Sequence, residues 1–387
     1  MLEWKLIRLG DICLTNKSSY SSKDNWKFVN YLDTGSLTEN KITELQYINI
    51  EMDKMPSRAR RKVIKNSILY STVRPNQLHY GIIKEPVDNL LVSTGFTVID
   101  VDTNKAIPEF IYYLLTQNNT TEQLQAIAEQ SVSTYPSIKP SDIENLEFKL
   151  PNLIIQSKIV SILDTIDSKI RQNEKINNNL EQQAQAIYQQ MFIDNASSDW
   201  AEGTLSNIAD ITMGQSPSGS SYNEDGNGTI FFQGRAEFGF RFPTVRLYTT
   251  EPKRMACAND TLMSVRAPVG DLNVAHTDCC IGRGLAAIHS KNNHQSFVLY
   301  TMFSLKKQLD VFNGEGTVFG SINRNSLNEM PILIPSSEKL DEFEALVAPM
   351  DAAIRNNYDE ICRLEQLRDS LLPQLMSGEL DVSGIDL

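Results

Sequence analysis

Apolar residues recur at alternating steps of four and three positions in two stretches of the chain. In each stretch eight of the ten stripe positions are apolar. The first stripe comprises Ile159, Leu163, Ile166, Ile170, Asn173, Asn177, Leu180, Ala184, Ile187 and Met191, and the second comprises Phe343, Val347, Met350, Ile354, Asn357, Ile361, Leu364, Arg368, Leu371 and Leu375. Heptads sustained over this length predict two long coiled-coil helices.

Shorter patterns lie between and before these helices. Runs of residues with strand character, bounded by Gly, Pro and Asn, predict strands within 62–73, 90–101, 261–265 and 280–289. One helix follows in each half of the chain, starting at Pro108 and again near Phe297, where apolar residues recur at steps of three and four. Two globules of mixed strand and helix, each followed by a long helix, indicate an α+β fold.

The two halves are copies of one another. Trp4 matches Trp200 at an offset of 196 residues, and Leu69 and Ser71 before Arg74-Pro75 resemble Leu262 and Ser264 before Arg266-Ala267-Pro268. The offset falls along the chain and is constant at 184 from Ser137 onward. Loops absorb deletions whereas helices do not, so a falling offset followed by a constant one indicates globule followed by continuous helix.

The repeat predicts four segments: a first globule at 1–151, a helix at 152–196, a second globule at 197–335, and a helix with its tail at 336–387. The second helix can return to the first globule only if the two helices run antiparallel, which gives a pseudo-two-fold molecule. Asn173 and Asn357 occupy the same repeat position in the stripes. We expect them to fix the register of the coiled coil, because a buried Asn costs stability and specifies pairing. Pro373 is expected to stop the second helix.

Charge and composition restrict the partners. The 387 residues carry a net charge of −12, with 41% hydrophobic and 22% charged residues, as in an ordinary globular protein. The acidic excess lies in 338–387, whereas the stretch from Lys54 to Lys84 has eight basic residues and no acidic one. That stretch fits a solvated face and a phosphate-binding face equally.

Motifs for catalysis are missing from the sequence. The five cysteines form no Cys-x-x-Cys pair, the four histidines are scattered, and neither set predicts a metal site. The loop around Gly214 has no Gly-Lys-Ser/Thr, and the glycines at 314–320 do not have the spacing of a dinucleotide fingerprint. With no apolar run long enough to span a membrane and no secretory signal, we expect a cytoplasmic protein without a membrane partner.

Four segments on this repeat carry a resemblance to a known family. They are Leu262 to Asp271 (LMSVRAPVGD), Cys280 to Leu285 (CIGRGL), Gly320 to Asn323 (GSIN), and Leu364 to Leu380 (LEQLRDSLLPQLMSGEL). Together they resemble the specificity subunit of type I restriction–modification systems over essentially the whole chain. The first copy departs further from the pattern, with Arg74-Pro75-Asn76 where the second has Arg-Ala-Pro-Val-Gly.

The resemblance implies two target recognition domains that each read half of a bipartite, gapped double-stranded DNA site. The helices would serve as a spacer and as the docking surface for two adenine methyltransferase subunits, with restriction and translocase subunits as further partners. The chain itself would be non-catalytic and bind no cofactor, while S-adenosylmethionine, ATP and Mg²⁺ would belong to the partner subunits. The alternative from the residues alone is a coiled-coil scaffold whose globules bind other proteins.

Candidate DNA contacts follow from this resemblance and from residue chemistry. In the basic stretch, Arg and Lys side chains could contact phosphates or bases. In the second globule, polar and aromatic residues lie in predicted loops at strand ends, where Gln and Arg can bond bidentately to adenine and guanine. The candidates are Arg58, Arg60, Arg61, Lys62 and Arg74 in the first globule and Gln215, Ser216, Ser218, Tyr222, Gln233, Arg235, Arg266, Arg283 and Phe319 in the second.

Overall fold

The structure is a computed structural model that describes residues 4–131, 135–314 and 320–385. The chain divides into two compact units. Unit 1 comprises Met1–Arg171 and Glu360–Leu387, and unit 2 comprises Gln172–Asp359. Both long helices therefore contribute residues to both units.

The described residues of unit 1 form twelve strands and three short α-helices, followed by the first long helix. Its strands are β1 (Lys5–Arg8), β2 (Cys13–Thr15), β3 (Phe28–Leu32), β4 (Leu37–Thr38), β5 (Lys41–Ile42), β6 (Gln46–Asn49), β7 (Ala59–Lys62), β8 (Ser67–Ser71), β9 (Tyr80–Ile83), β10 (Leu90–Ser93), β11 (Phe96–Val101) and β12 (Glu147–Leu150). Its helices are α1 (Pro108–Leu115), α2 (Asn118–Glu129) and α3 (Pro140–Glu144), and the long helix is α4 (Leu153–Tyr188), which continues as a π-helix over Gln189–Asp194.

Unit 2 repeats this sequence of elements and leads into the second long helix. Its strands are β13 (Ala201–Thr204), β14 (Ala209–Met213), β15 (Tyr222–Asn223), β16 (Thr229–Phe232), β17 (Leu247–Thr249), β18 (Met255–Ala256), β19 (Thr261–Ser264), β20 (Leu272–Val274), β21 (Cys279–Ile281), β22 (Leu285–Ser290) and β23 (Pro331–Ile334). Its helices are α5 (Leu205–Ile208), α6 (Gln295–Ser304), α7 (Lys306–Leu309) and α8 (Arg324–Asn328), and the second long helix is α9 (Ser337–Ser377).

The sheets of the two units share a common core topology, although unit 2 adds β15 at the edge of its second sheet and unit 1 has an extra two-stranded sheet of β4 and β5. Unit 1 has a sheet of order β2-β11-β8-β9 and one of order β6-β3-β10-β7, and unit 2 has β14-β22-β19-β20 and β15-β17-β16-β21-β18. In each unit one pair is parallel, β3 with β10 and β16 with β21. A two-stranded ribbon closes each unit, β1 with β12 and β13 with β23. The α+β fold and the internal repeat predicted from the sequence are confirmed.

Apolar side chains of the sheets pack against the long helices inside each unit. In unit 1, Phe110 and Leu114 of α1 lie in one buried cluster with Leu163 of α4 and Leu375 of α9. In unit 2, a corresponding cluster joins the α6 residues, among them Phe297 and Tyr300, to Tyr188 and Phe343 of the two long helices. The heptad positions are thus core positions of each unit, which fixes its sheets on its helices.

Within each unit the helices α4 and α9 run antiparallel, as predicted. In unit 1 the Arg368 guanidinium lies 3.3 Å from an Asp167 carboxylate oxygen, and Lys158 donates to the carbonyl of Ser383 at 2.8 Å. In unit 2 the Asn357 side-chain amide donates to the Asn177 Oδ1 at 2.8 Å. Residue numbers rise along one helix while they fall along the other.

The register role of Asn173 and Asn357 stays a prediction, and the structure adds a further asparagine to the seam. Asn173 is buried in the seam, at 1% exposed, but the partner of Asn357 is Asn177, which is 3% exposed. Two residues at the same repeat position need not face one another in an antiparallel pair, because the facing residues are set by the opposite directions of the two helices. Asn177, which belongs to the same stripe as Asn173, supplies the facing amide.

Two expectations about helix boundaries are wrong. Helix α9 continues past Pro373 to Ser377, because Leu375 and Met376 are buried in the unit 1 core and hold the last turn. The single helix predicted after Pro108 is two helices, α1 and α2. Helix α2 is polar, and it is held by the burial of Leu124 and Ala128.

Candidate nucleic-acid interface

The strands of unit 2 end together at one edge, where their loops cross. The Gln215 N–H donates to the Ile281 carbonyl at 3.0 Å, and the Gly282 N–H donates to the Phe232 carbonyl at 2.8 Å. The Val265 N–H donates to the Gly284 carbonyl at 2.9 Å. These bonds join the ends of β14, β16, β19 and β21 and the start of β22. We call the residues that follow these strands, Gln215, Ser216, Gln233, Arg266 and Arg283, the strand-end cluster of unit 2.

Glycines allow the loops of this cluster to cross so closely. A Cβ at Gly214 would lie 2.2 Å from the Gly282 carbonyl oxygen, and a Cβ at Gly284 would lie 2.8 Å from the Gln233 carbonyl oxygen. Both obstacles are backbone atoms, which cannot rotate away. The close crossing fixes the positions of the neighbouring side chains.

Four side chains of the cluster are exposed and unpaired. Within the described ranges, no hydrogen bond or ion pair engages the side chains of Gln215, Gln233, Arg266 or Arg283. Ser216 differs, because its hydroxyl accepts from the Arg283 N–H at 3.2 Å and holds the loop. Two amides and two guanidiniums on a fixed backbone can donate and accept in the geometry that base edges require.

The remaining candidates in unit 2 have partners within the unit. Arg235 forms an ion pair with Asp271 at 2.6 Å. The Tyr222 hydroxyl donates to the Pro217 carbonyl at 3.1 Å, and the Ser218 hydroxyl lies 2.8 Å from that of Ser220. The contacts of Tyr222 and Ser218 shape the loop between β14 and β15. Phe319 lies outside the described residues.

The arginines and the lysine from Arg58 to Lys62 lie on the edge strand β7 and directly before it. Arg58 and Arg60 are exposed, and Arg61 is half-buried with an enclosed Nε that has no partner among the described residues. Lys62 is ion-paired with Asp24 and lies over the Trp26 ring at 5.1 Å from its centroid. This lysine fastens β7 to the preceding loop, whereas Arg58 and Arg60 are exposed to solvent.

The strand ends of unit 1 cross in the same way. The Thr72 N–H donates to the Gly95 carbonyl at 2.8 Å, as Val265 does to Gly284 in unit 2. By this equivalence Asp33 stands where unit 2 has Gln233, and Thr94 where it has Arg283. The Thr94 N–H donates to the Arg58 carbonyl at 2.9 Å. Asp33, Arg58 and Thr94 thus form the strand-end cluster of unit 1, of which the sequence analysis identified only Arg58.

Asp33 is held as a carboxylate. Burial opposes ionisation, but hydrogen bonds from the Tyr31 hydroxyl, at 2.7 Å, and from the Thr34 N–H, together with the Arg58 charge, hold the pKa of Asp33 below its ordinary value. An ionised carboxylate can accept hydrogen bonds from the amino group of cytosine.

Arg74 is not the structural counterpart of Arg266. In unit 1 the bridge to Ser137 is made by Val73, whereas in unit 2 the bridge to Ser321 is made by Arg266. Arg74 therefore matches Ala267, and its guanidinium lies 5.3 Å from the centroid of the Tyr135 ring.

Strand register reveals two basic residues that the sequence analysis missed. Lys62 pairs with Leu91 in unit 1, and Met255 pairs with Cys280 in unit 2. Since Cys280 is the counterpart of Leu91, Arg254 matches Arg61 and Lys253 matches Arg60. Lys253 and Arg254 are exposed, and their side chains have no partner in the described part of the chain. Pairing across the sheet is the feature that aligns them.

The described residues contain no group of His, Cys, Asp or Glu side chains arranged to hold a metal ion. In the described part of the chain none of the five cysteines forms a disulfide. Burial raises the pKa of the Cys13 thiol and of the Cys279 thiol, each to about 12, which keeps both protonated and unreactive at neutral pH. The strand-end clusters present hydrogen-bonding and charged groups for recognition, and the residues that define them include no nucleophile beside a base.

None of the helices in the described ranges is long and apolar enough to cross a membrane.

Comparison with known proteins agrees with this arrangement. A sequence model of the family described as "Type I restriction modification DNA specificity domain" matches residues 1–182 and 197–355. A putative type I restriction enzyme MjaX specificity subunit from Methanocaldococcus jannaschii is 29% identical, with 98% of this chain and 94% of the relative covered. The HindI specificity subunit from Haemophilus influenzae is 25% identical over 98% of this chain and its own full length.

A solved structure shows the same fold. The S subunit of a type I restriction–modification system from M. genitalium aligns with a TM-score of 0.62 at 16% identity, covering 99% of this chain and 97% of that one. The two family matches coincide with the two halves of the repeat, each with its own sheets and strand-end cluster. The chain therefore belongs to the type I restriction–modification DNA specificity family and carries two copies of its domain.

Proposed function

We propose that this chain is the non-catalytic subunit that reads a bipartite, gapped double-stranded DNA site, one half with each unit. The observation that supports this most is the strand-end cluster of unit 2, where four unpaired polar side chains stand on a backbone fixed by close crossings. Such preorganised donors and acceptors suit the major-groove edges of base pairs. Edge-strand arginines beside them suit phosphates.

The partners follow from the same proposal. The relatives are subunits of type I restriction enzymes, and we propose that this chain assembles with two adenine methyltransferase subunits on its long helices, and with restriction and translocase subunits in the complete enzyme. S-adenosylmethionine, ATP and Mg²⁺ would then be bound by those subunits. The helices would also act as the spacer between the half-sites.

Exchange of one recognition fold tests the proposal. The segment from Trp200 to Pro331 is replaced by that of another family member, and methylated adenines are mapped genome-wide in hosts carrying either protein. We expect one half of the methylated site to change and the other half to stay. A change in both halves, or no methylation that depends on the chain, would contradict the proposal.

A point variant with a matched control refines this test. Replacing Gln233 by Ala removes an unpaired amide from the strand-end cluster of unit 2. The control Lys291→Ala removes a charged side chain beyond the opposite end of β22, where Lys291 donates to the Ser206 carbonyl at 2.6 Å. The first variant should relax one base position of the unit 2 half-site, and the control should leave the methylated site unchanged.

A further inference from the structure

Arg241 is the most deeply buried arginine of the described chain, and it joins the recognition fold of unit 2 to both long helices. Its backbone lies between β16 and β17, where its carbonyl accepts from the Val274 N–H of β20 at 2.8 Å. Its side chain is only 4% exposed. A charged group is buried to this degree only where partners compensate for its lost hydration.

The partners of Arg241 come from three different helices. One guanidinium nitrogen lies 3.1 Å from an Asp351 oxygen of α9, and the other lies 3.0 Å from a Glu181 oxygen of α4. The second nitrogen also donates to the Tyr300 hydroxyl of α6 at 3.2 Å, and this hydroxyl donates to Asp351 at 2.9 Å. We call these four residues the Arg241 clasp.

Guanidinium geometry makes this clasp directional. Its planar fork holds two carboxylates at fixed angles, whereas a lysine ammonium is a single point charge that cannot bridge both carboxylates in the same way. One side chain fixed to the sheet therefore restrains the fold against rotation about either helix. A hydrophobic contact of similar area would permit more sliding, because apolar contacts are not directional.

The described part of unit 1 has no equivalent arginine link from its sheets. There the arginine that meets Asp167 is Arg368, which belongs to α9 itself and is 31% exposed. The recognition fold of unit 1 contributes the Tyr113 hydroxyl, which donates to Asp167 at 2.6 Å. Among the described residues, the arginine link between recognition fold and helices is thus a feature of unit 2.

We propose that Arg241 is a positioning residue that sets the orientation of the second recognition fold on its helix pair, and thereby the gap accepted between the half-sites. The inference rests on the proposed function. A rotation of about 10° moves a point about 18 Å from the pivot, within the size of such a domain, by about 3 Å. That is close to the rise of one base pair, about 3.4 Å, so loosening the clasp should admit gaps one base pair longer or shorter.

The experiment selects bound DNA from a randomised duplex library, using the full chain assembled with its methyltransferase subunits. Wild type should select one gap length. Arg241→Gln should keep both half-sites but accept gaps one base pair longer or shorter, with a preference for the original gap at least about tenfold lower, and Arg241→Lys should restore part of the preference. A merely structural role would lower the yield of complex without changing the gap.

Arg246→Gln is the matched control. Arg246 also bridges two glutamates, at 3.4 Å to Glu224 and 2.9 Å to Glu237, but all three residues lie within the recognition fold. Its loss should leave the gap preference unchanged. If Arg241→Gln retains the wild-type gap preference in a folded complex, the inference is wrong.

A second variant decides the matter if Arg241→Gln does not fold. Burial raises the pKa of Glu181 despite the opposing Arg241 charge, so a neutral Gln is well tolerated at this position. Glu181→Gln weakens the link to α4 alone. It should lower the preference for the original gap length by a smaller factor than Arg241→Gln does. An unchanged gap preference would overturn the inference. If wild type selects no two-part site at all, the proposed function itself has failed.

Discussion

Equivalent positions of the two units carry different side chains. After β3, unit 1 has the carboxylate of Asp33 where unit 2, after β16, has the amide of Gln233. At the next crossing, unit 1 has Thr94 in the position that corresponds to Arg283 of unit 2. The main-chain hydrogen bond that the Gly95 carbonyl accepts from the Thr72 N–H, at 2.8 Å, has its counterpart in the bond that the Gly284 carbonyl accepts from the Val265 N–H, at 2.9 Å. A similar backbone therefore presents a carboxylate and a hydroxyl in unit 1, and an amide and a guanidinium at the same positions in unit 2. If the proposed function holds, this difference should give the two half-sites different base sequences.

The helix attachments give the sharpest way to test the comparison. Asp351 accepts from the buried Arg241, whereas Asp167 accepts from the partly exposed Arg368. Asp351→Ala should lower the free energy of unfolding by about 3 kcal/mol, because it leaves a buried guanidinium with one carboxylate fewer. Asp167→Ala should cost about 1 kcal/mol. Urea unfolding of both variants measures the difference, and equal losses would show that the two attachments are equivalent.

Recognition by unit 2 should depend on Arg283 more than recognition by unit 1 depends on Thr94. Arg283→Ala should weaken binding to the selected DNA site by about 2 kcal/mol and relax one base pair of the unit 2 half-site. Thr94→Ala removes a neutral hydroxyl and should cost about 1 kcal/mol or less. Titration of fluorescent duplexes with single base changes measures both, with Lys291→Ala as control. If Arg283→Ala weakens binding to all of these duplexes by the same factor, Arg283 contacts a phosphate and not a base.

The glycines at the crossings should differ in the cost of a methyl group. A Cβ at Gly284 meets the Gln233 backbone carbonyl at 2.8 Å, whereas a Cβ at Gly95 meets the Thr34 hydroxyl at 2.6 Å, which a rotamer change can move away. Gly284→Ala should therefore destabilise the protein by about 1.5 kcal/mol, and Gly95→Ala by less than about 0.5 kcal/mol. Thermal unfolding of the two variants, compared with wild type, checks the order; the reverse order would mean that the crossing in unit 1 is the more rigid one.

Substitution of the basic pairs on the edge strands should have the smallest effects on DNA affinity, and the effects should be similar in the two units. Replacing Lys253 and Arg254 together by Ala, or Arg60 and Arg61 together, should weaken DNA binding uniformly over sequence. The slope of log affinity against log salt should fall in magnitude by about one for each phosphate that the variant no longer neutralises. Affinities measured at several salt concentrations give both slopes. Unchanged affinity and slope would assign these residues to the protection of an exposed sheet edge against pairing with other chains.

Residues matched at a falling offset predicted the repeat. The local sequence pattern predicted the long helices and the runs that overlap β8, β10, β11, β19, β21 and β22, because these elements are encoded in the spacing of apolar and turn residues. It did not predict α2, since Asn118, Thr121 and Gln125 give no apolar stripe and the burial of Leu124 in the unit 1 core holds that helix. The pattern also predicted the wrong end for α9, which continues past Pro373 to Ser377. Burial of Leu375 stabilises the last turn by more than the missing hydrogen bond of Pro373 destabilises it.

The interface was predictable in part, for a similar reason. Gln215, Gln233 and Arg283 follow strands that can be recognised in the sequence, and the structure brings them together. Asp33 and Arg254 lacked such a marker. Their equivalence to Gln233 and Arg61 depends on which residues pair across a sheet, and this pairing joins residues separated by tens of positions.

Unit 1 is assembled from both ends of the sequence, and this determines when it can fold during synthesis. Leu9 and Ile12 share a buried cluster with Leu375, Met376 and Val382, which emerge from the ribosome more than 350 residues later. Unit 2, a single segment from Gln172 to Asp359, has all its residues available earlier. The N-terminal segment of unit 1 therefore stays incompletely folded, with apolar surface exposed, until the C-terminal residues have been synthesised. In that state it can bind chaperones or aggregate. A nascent chain truncated before Glu360 should accordingly contain a folded second unit and an incomplete first one.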